Sequence, residues 1–187
     1  MLFRSVDAIA SGAAAALTAA ASMSPTGIDV RLDDYIRVYG FMEAADRFVD
    51  VPDDWELRID ELDPRVRAGW RGAGSVTLPK FGRVERQRRE LEFRVAELFE
   101  HTDVLLTPTN ACPPFAAEGP MPTVIGGREC HAGHAALLTM LANIVNLPSI
   151  TLPAGTTTDG LPIGLMVTAP RQDRKSTRLN SSHQIIS

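Results

Sequence analysis

The stretch Asn146-Leu147-Pro148-Ser149-Ile150-Thr151-Leu152-Pro153-Ala154-Gly155, continued by TTTDGLPIGLMV, leaves the chain few choices. Two apolar runs, Ser149 to Leu152 and Ile163 to Thr168, stand between Pro and Gly residues. Runs this short between breakers read as buried strands. Thr156 to Gly160, with its Asp159-Gly160 pair, reads as the turn that joins them. The segment contains no side chain of obvious reactivity, so it reads as scaffold for a site whose reacting group lies elsewhere.

The remaining sequence is largely helical. Val6 to Ala21 is alanine-rich. With Arg4 ahead of it and an Ala19-Ala20-Ala21 run behind, it imitates a secretory signal. Asp7, and the presence of only Ile9 and Leu17 as strong hydrophobes, favour a helix instead. Gly27 to Leu32 alternates as a short strand does, and Asp33-Asp34 caps a helix with Ile36, Tyr39, Met42 and Ala45 on one face. Asp63-Pro64 is a helix start, with Val66, Trp70 and Ala73 as its buried face and Gly72 and Gly74 at its end. The longest helix is expected from about Pro79 to Glu100, with Phe81, Val84, Leu91, Val95, Leu98 and Phe99 inward. Glu85 with Arg89, and Glu90 with Arg94, have the spacing of solvent-side ion pairs. Asp103 to Thr109 reads as a buried strand, residues 110–128 as a long Pro/Gly-rich loop, and His131 to Val145 as an apolar helix.

Bulk properties exclude several functions. The chain has 187 residues and a net charge of −4, with 44% hydrophobic and 22% charged residues, values ordinary for one globular domain. Nothing there points to nucleic acid or to an anionic membrane, and no apolar run approaches the roughly 20 residues that span a bilayer. The Arg-rich RVERQRRELEFR alternates its charges with Glu and reads as a salt-bridged, solvated face. Two cysteines are too few for a disulfide scaffold and suit a reducing, cytoplasmic setting. Cys112, Cys130, His131 and His134 invite a zinc site, but 17 residues separate the cysteines and adjacent Cys130-His131 make awkward co-ligands. No metal is expected. Ser149 stands in PSIT, outside any G-x-S-x-G elbow. Gly69, Gly72 and Gly74 do not follow a strand, so no dinucleotide loop is present.

Three stretches in order carry a resemblance: LDPRVRAG with the amphipathic helix after it, TDVLLTPT, and NLPSITLPAGTTTDGLPIGLMV. Together they resemble the C-terminal half of the amidase signature family of serine amidohydrolases, over most of residues 6–173. The resemblance implies an α/β fold, a mixed β-sheet flanked by helices, of which this chain holds an incomplete part. It also implies hydrolysis of a small-molecule carboxamide without metal or cofactor, by a nucleophilic Ser, a bridging Ser in a cis peptide, and a Lys. In such a triad a desolvated, neutral Lys takes a proton relayed from the nucleophile, and backbone N–H groups of a Gly/Ser-rich loop hold the oxyanion.

That machinery is not in this sequence. Ser181-Ser182 is the only serine pair, and Lys80 the only lysine before Lys175. No catalytic residue is therefore carried over, and the triad is expected in a missing N-terminal half. The substrate-lining candidates are Thr109 and Asn110, at the end of the 103–109 strand, where such folds place ligands. Ordinary strand-end turn residues are the competing reading. The glutamine-using transamidosome branch tends to carry an acidic residue about a dozen positions before the proline matching Pro148, a region that here holds Ala135 and Ala136. Met166 stands where that branch often has Gln. Both lean towards a general amidase over the amidotransferase A-subunit branch. A non-catalytic binding or assembly module of similar fold is the other alternative, and a homodimer is compatible with either. The closing RKSTRLNSSHQIIS resembles translated sequencing-library adapter, as Met1 to Ser5 resembles its companion. The expected organisation is therefore residues 1–5 as artefact, 6–173 as the C-terminal portion of one amidase domain, and 174–187 as artefact or disordered tail.

Overall fold

Alanine has the strongest helix propensity of any residue, and the first element of the computed structural model is the helix α1 (Leu2–Ala20). The structure describes residues 2–29, 35–49 and 54–171. Residues 30–32 of the expected early strand, the Asp33-Asp34 cap and the tail from residue 174 lie outside them. Val6 and Ala10, one turn apart on α1, are buried, and the helix packs against all three strands of the main sheet.

Those strands are β1 (Leu105–Pro108), β4 (Ser149–Thr156) and β5 (Pro162–Thr168), in the order β1-β5-β4, antiparallel throughout. Among the described residues the mixed sheet of the implied fold is represented by these three strands. The opening strand pair thus contributes a central strand and an edge strand. β5 is buried from Leu165 to Thr168, whereas β4 alternates exposed and half-buried residues. Edge position explains how β4 continues through Pro153, which has no N–H to give to a neighbour. Pro153 pairs with Gly164 and Gly155 with Ile163, so Ala154 is the extra residue of a bulge. Gly155 has φ +143°, and a Cβ there would stand 3.2 Å from Ile9 Cγ2 of α1. The β4–β5 turn closes through Thr157, whose N–H donates to the Leu161 carbonyl and whose hydroxyl accepts from Leu161 N–H at 3.1 Å.

A second core lies among helices α2 (Ile36–Val49), α4 (Leu78–Phe99) and α5 (Leu137–Val145). Its buried members are Tyr35, Val38, Leu91, Val95, Met140, Leu141, Ile144 and Val145. Val38 of α2 is buried, while the expected Ile36, Tyr39 and Met42 are partly covered. On α4, Leu91 and Val95 are buried as the apolar stripe requires, but Phe81 is 40% exposed. The ion pairs join other residues than the expected Glu85–Arg89 and Glu90–Arg94. Arg88 bridges Glu85 and Glu92, and Arg94 donates to the Tyr35 hydroxyl at 2.8 Å. Glu92 also takes Arg171 at 2.7 Å, and the same guanidinium donates to the Val145 carbonyl at the end of α5. Between α2 and α4, α3 (Pro64–Gly74) begins at the proline and sets Trp70 edge-on to Trp55, with ring centroids 5.8 Å apart.

Two segments depart from their sequence reading. His131 to Val145 is not one helix: Ala132–Ala136 forms a 3-10 turn before α5. The His131 side chain caps that turn, and the Ala135 carbonyl accepts from Ala111 N–H at 3.0 Å, which ties the turn to the loop after β1. That loop is also more ordered than its composition suggests, because β2 (Val124–Ile125) and β3 (Arg128–Glu129) pair across Gly126-Gly127. Both glycines have positive φ, the conformation a two-residue hairpin turn demands.

Candidate active site

β1 ends at Pro108, and the next N–H, that of Thr109, donates to the Gly164 carbonyl of β5 at 2.9 Å. This bond carries the pairing one residue further and fixes Thr109 at the end of the sheet. The Thr109 hydroxyl donates to Thr151 Oγ1 of β4 at 3.2 Å, across the intervening central strand. Glycine is required between them, since a Cβ on residue 164 would fall 2.6 Å from Thr109 Oγ1 and 2.7 Å from Thr151 Cγ2.

Beyond this strand end opens a cavity of about 570 Å³. α2 supplies Ile36, Tyr39, Gly40 and Glu43; the strand end supplies Thr109 and Asn110; and the loop supplies Cys112, Pro113, Pro114, Phe115 and Met121. The 3-10 turn, Met140 of α5 and the start of β5 (Pro162, Ile163, Gly164) complete it. The lining is predominantly apolar. Thr109 and Asn110 are therefore brought together on one wall. Glu43, Phe115, Met121, His131 and Gly164 lie around the same cavity and were not singled out as lining by sequence reasoning. Ala135 and Ala136 are in its wall, while Met166 is buried in β5 and does not line it. A larger hollow of about 910 Å³ lies between α1, residues 22–28 and β1. Within it Thr107 Oγ1 is buried without a protein partner among the described residues.

The polar groups of the smaller cavity have definite hydrogen-bonding roles. Gly133 N–H donates to His131 Nδ1 at 3.1 Å, which leaves Nε2 as the donor of that ring. His134 has the other arrangement, with Nδ1 donating to the His131 carbonyl at 2.9 Å. Thr109, having donated its proton to Thr151, keeps lone pairs for an incoming N–H. Asn110 is exposed and offers a carboxamide that both donates and accepts. Cys112 is a free thiol, pushed above the ordinary range first by burial and second by the neighbouring Cys130. A protonated thiol is a weaker nucleophile than a thiolate, and Cys112 is one of the residues of the cavity wall. Among the described residues no three His, Cys, Asp or Glu side chains are grouped to hold a metal ion, and no helix is long and apolar enough to cross a membrane. The arrangement can bind and orient a neutral polar group against an apolar surface.

The chain also matches known proteins. The family model described as Amidase matches residues 55–177, more than half of the chain, and the chain belongs to that family. An acylamidase from Rhodococcus erythropolis is 31% identical over 117 residues, covering 62% of this chain and 24% of the relative. The A component of the glutamyl-tRNA(Gln) amidotransferase of Salinibacter ruber is 29% identical over 121 residues, 61% of this chain and 22% of that protein. Among solved structures, a bacterial aryl acylamidase of the amidase signature family superimposes with a TM-score of 0.75 at 20% identity, covering 92% of this chain and 38% of that one. The fold is therefore the α/β fold of amidase signature enzymes. The chain spans about a quarter of the length of the curated relatives it matches.

Proposed function

We propose that this chain is the pocket-bearing portion of an amidohydrolase that converts a carboxamide and water into a carboxylic acid and ammonia or an amine. One observation carries the reading. In a member of the amidase family, a single cavity joins an apolar wall to a rim of hydroxyl, carboxamide and imidazole N–H groups. A carboxamide presents one strong acceptor and, unless fully substituted, a donor. The Thr109 oxygen can take the N–H, and Asn110 or His131 Nε2 can donate to the C=O. Orienting the scissile group in this way lowers the entropic part of the barrier.

Bond cleavage further requires a nucleophile, a base and oxyanion donors. Lys80 is the only lysine among the described residues. It lies with Nζ 5.5 Å from the Phe41 ring centroid and is not in the cavity wall. In this reading the Ser–cis-Ser–Lys triad belongs to a part of a longer parent protein. The amidotransferase relative supports a second reading, a component of such an enzyme that acts on glutamine. Against it, no Lys or Arg lies among the described lining residues to receive an α-carboxylate.

The test is amine or ammonia release from simple amides by two proteins, the 187-residue chain and the longer natural protein that contains it. The longer protein is expected to hydrolyse amides and the chain alone to give no turnover. Asn110→Leu in the longer protein is expected to lower kcat/KM about tenfold, the equivalent of one lost hydrogen bond of ~1.4 kcal/mol. Turnover by the chain alone, or an Asn110→Leu protein with unchanged kcat/KM, overturns the reading.

A further inference from the structure

We infer that the cavity selects an amide whose substituent is apolar and uncharged, and that Phe115 and Met121 set this preference. The inference rests on the cavity being the substrate pocket and goes on to the chemistry of what fills it. Three observations carry it.

The first is the wall. Ile36 and Tyr39 from α2, Pro113, Phe115 and Met121 from the loop, and Ile163 from β5 surround the space. Its volume of about 570 Å³ lies within the range of small-molecule pockets, roughly 300–1,000 Å³. The second is charge. Among the described lining residues there is no Lys or Arg, and Glu43 supplies the one carboxylate. An anionic substituent would lose its hydration without meeting a Lys or Arg among these described residues, which opposes binding. The third is exposure. Phe115 and Met121 face the cavity from one loop and are each 47% exposed. An apolar substituent lying on them removes that surface from water, whereas a small polar amide leaves it wet. Methionine also adapts to varied apolar shapes.

Cys112 provides a reporter inside the cavity and Cys130 an internal control, because only Cys112 is among the lining residues. Trypsin separates them, with Cys112 in residues 95–128 and Cys130 in residues 129–171. The experiment measures, by mass spectrometry, the rate at which each thiol of the full chain reacts with methyl methanethiosulfonate. It is run alone and with acetanilide, acetamide or 4-acetamidobenzoate at equal concentration. Acetanilide is expected to slow Cys112 about threefold at twice its dissociation constant, with Cys130 unchanged, and the other two amides to protect far less. Equal protection by acetamide or by 4-acetamidobenzoate overturns the inference and leaves the pocket reading standing. Failure of every amide to protect Cys112, or parallel protection of both cysteines, overturns the pocket reading and the inference with it. A Phe115→Ser/Met121→Ser chain, altered only at exposed positions, is expected to lose the ratio of protected to unprotected rates for acetanilide. If the ratio persists, these two residues do not set the preference.

Discussion

Gly164 is where folding and the pocket rim meet at a single atom position. Its missing Cβ would sit 2.6 Å from Thr109 Oγ1 and 2.7 Å from Thr151 Cγ2, contacts no rotamer change of one neighbour relieves. Gly164→Ala is expected to destabilise the chain by about 1–3 kcal/mol, the cost of overpacking, read as a lowered urea midpoint at low protein concentration. Cys112 offers a test by pH. Burial raises its thiol above the ordinary range, near pH ~8.5 for an exposed cysteine, so the folded state holds its proton more tightly than the unfolded state. The associated stability is present below that range and is lost as pH rises through the raised value. Cys112→Ser is expected to flatten the alkaline fall of the urea midpoint. In the unaltered chain, Cys112 modification should keep accelerating at pH values where an exposed thiol has levelled off.

At the level of elements, helix cores and caps predict single changes. Leu91 is 1% exposed at the centre of the helical core, and Leu91→Ala is expected to cost about 2–5 kcal/mol in a denaturation midpoint. α5 ends at Asn146 in the left-handed region, φ 53°, which Asn tolerates and β-branched residues do not. Asn146→Val is expected to lower stability by about 1–2 kcal/mol, while Asn146→Gly stays close to the parent in the same measurement. Much of this level was legible in the sequence. Pro64 and Pro79 marked helix starts, and Asp159-Gly160 marked the β4–β5 turn, because breakers act through local backbone geometry that needs no partner. What was not legible depends on rotamer choice or on contacts distant along the chain. Arg88 takes Glu85 in place of the expected Glu85–Arg89 pair, through rotamers a spacing rule does not see. The split of residues 131–145 depends on Ala111 reaching the Ala135 carbonyl. Gly126-Gly127 did carry a local hairpin signal, masked by the prolines around it. Thr109 and Asn110 could be proposed because strand ends are local features, whereas Glu43 and Phe115 reach the cavity only through tertiary packing.

For the molecule as a whole, the sheet has two open sides. Among the described residues β1 and β4 each pair only with β5, so their outer hydrogen-bonding groups have no strand to meet. Unpaired strand edges recruit other chains, and the exposed Leu57, Leu78, Phe93 and Val124 add apolar surface. The chain on its own is expected to self-associate as its concentration rises, seen as a growing weight-average mass in sedimentation velocity. A monodisperse monomer across that range would contradict this. Arg171 works in the opposite direction by joining α4 to the end of α5 through Glu92 and the Val145 carbonyl. The cavity itself is divided between two regimes of tolerance. Its rim is anchored on a buried central strand through Gly164, so change there is filtered first by folding. Its loop wall carries Phe115 and Met121 at the surface, where substitutions usually cost within about 0.5 kcal/mol. Drift in this lineage can therefore exchange the loop side chains freely while the rim stays fixed, and paralogues sharing this fold should diverge in selectivity at 115 and 121 long before they diverge at 164.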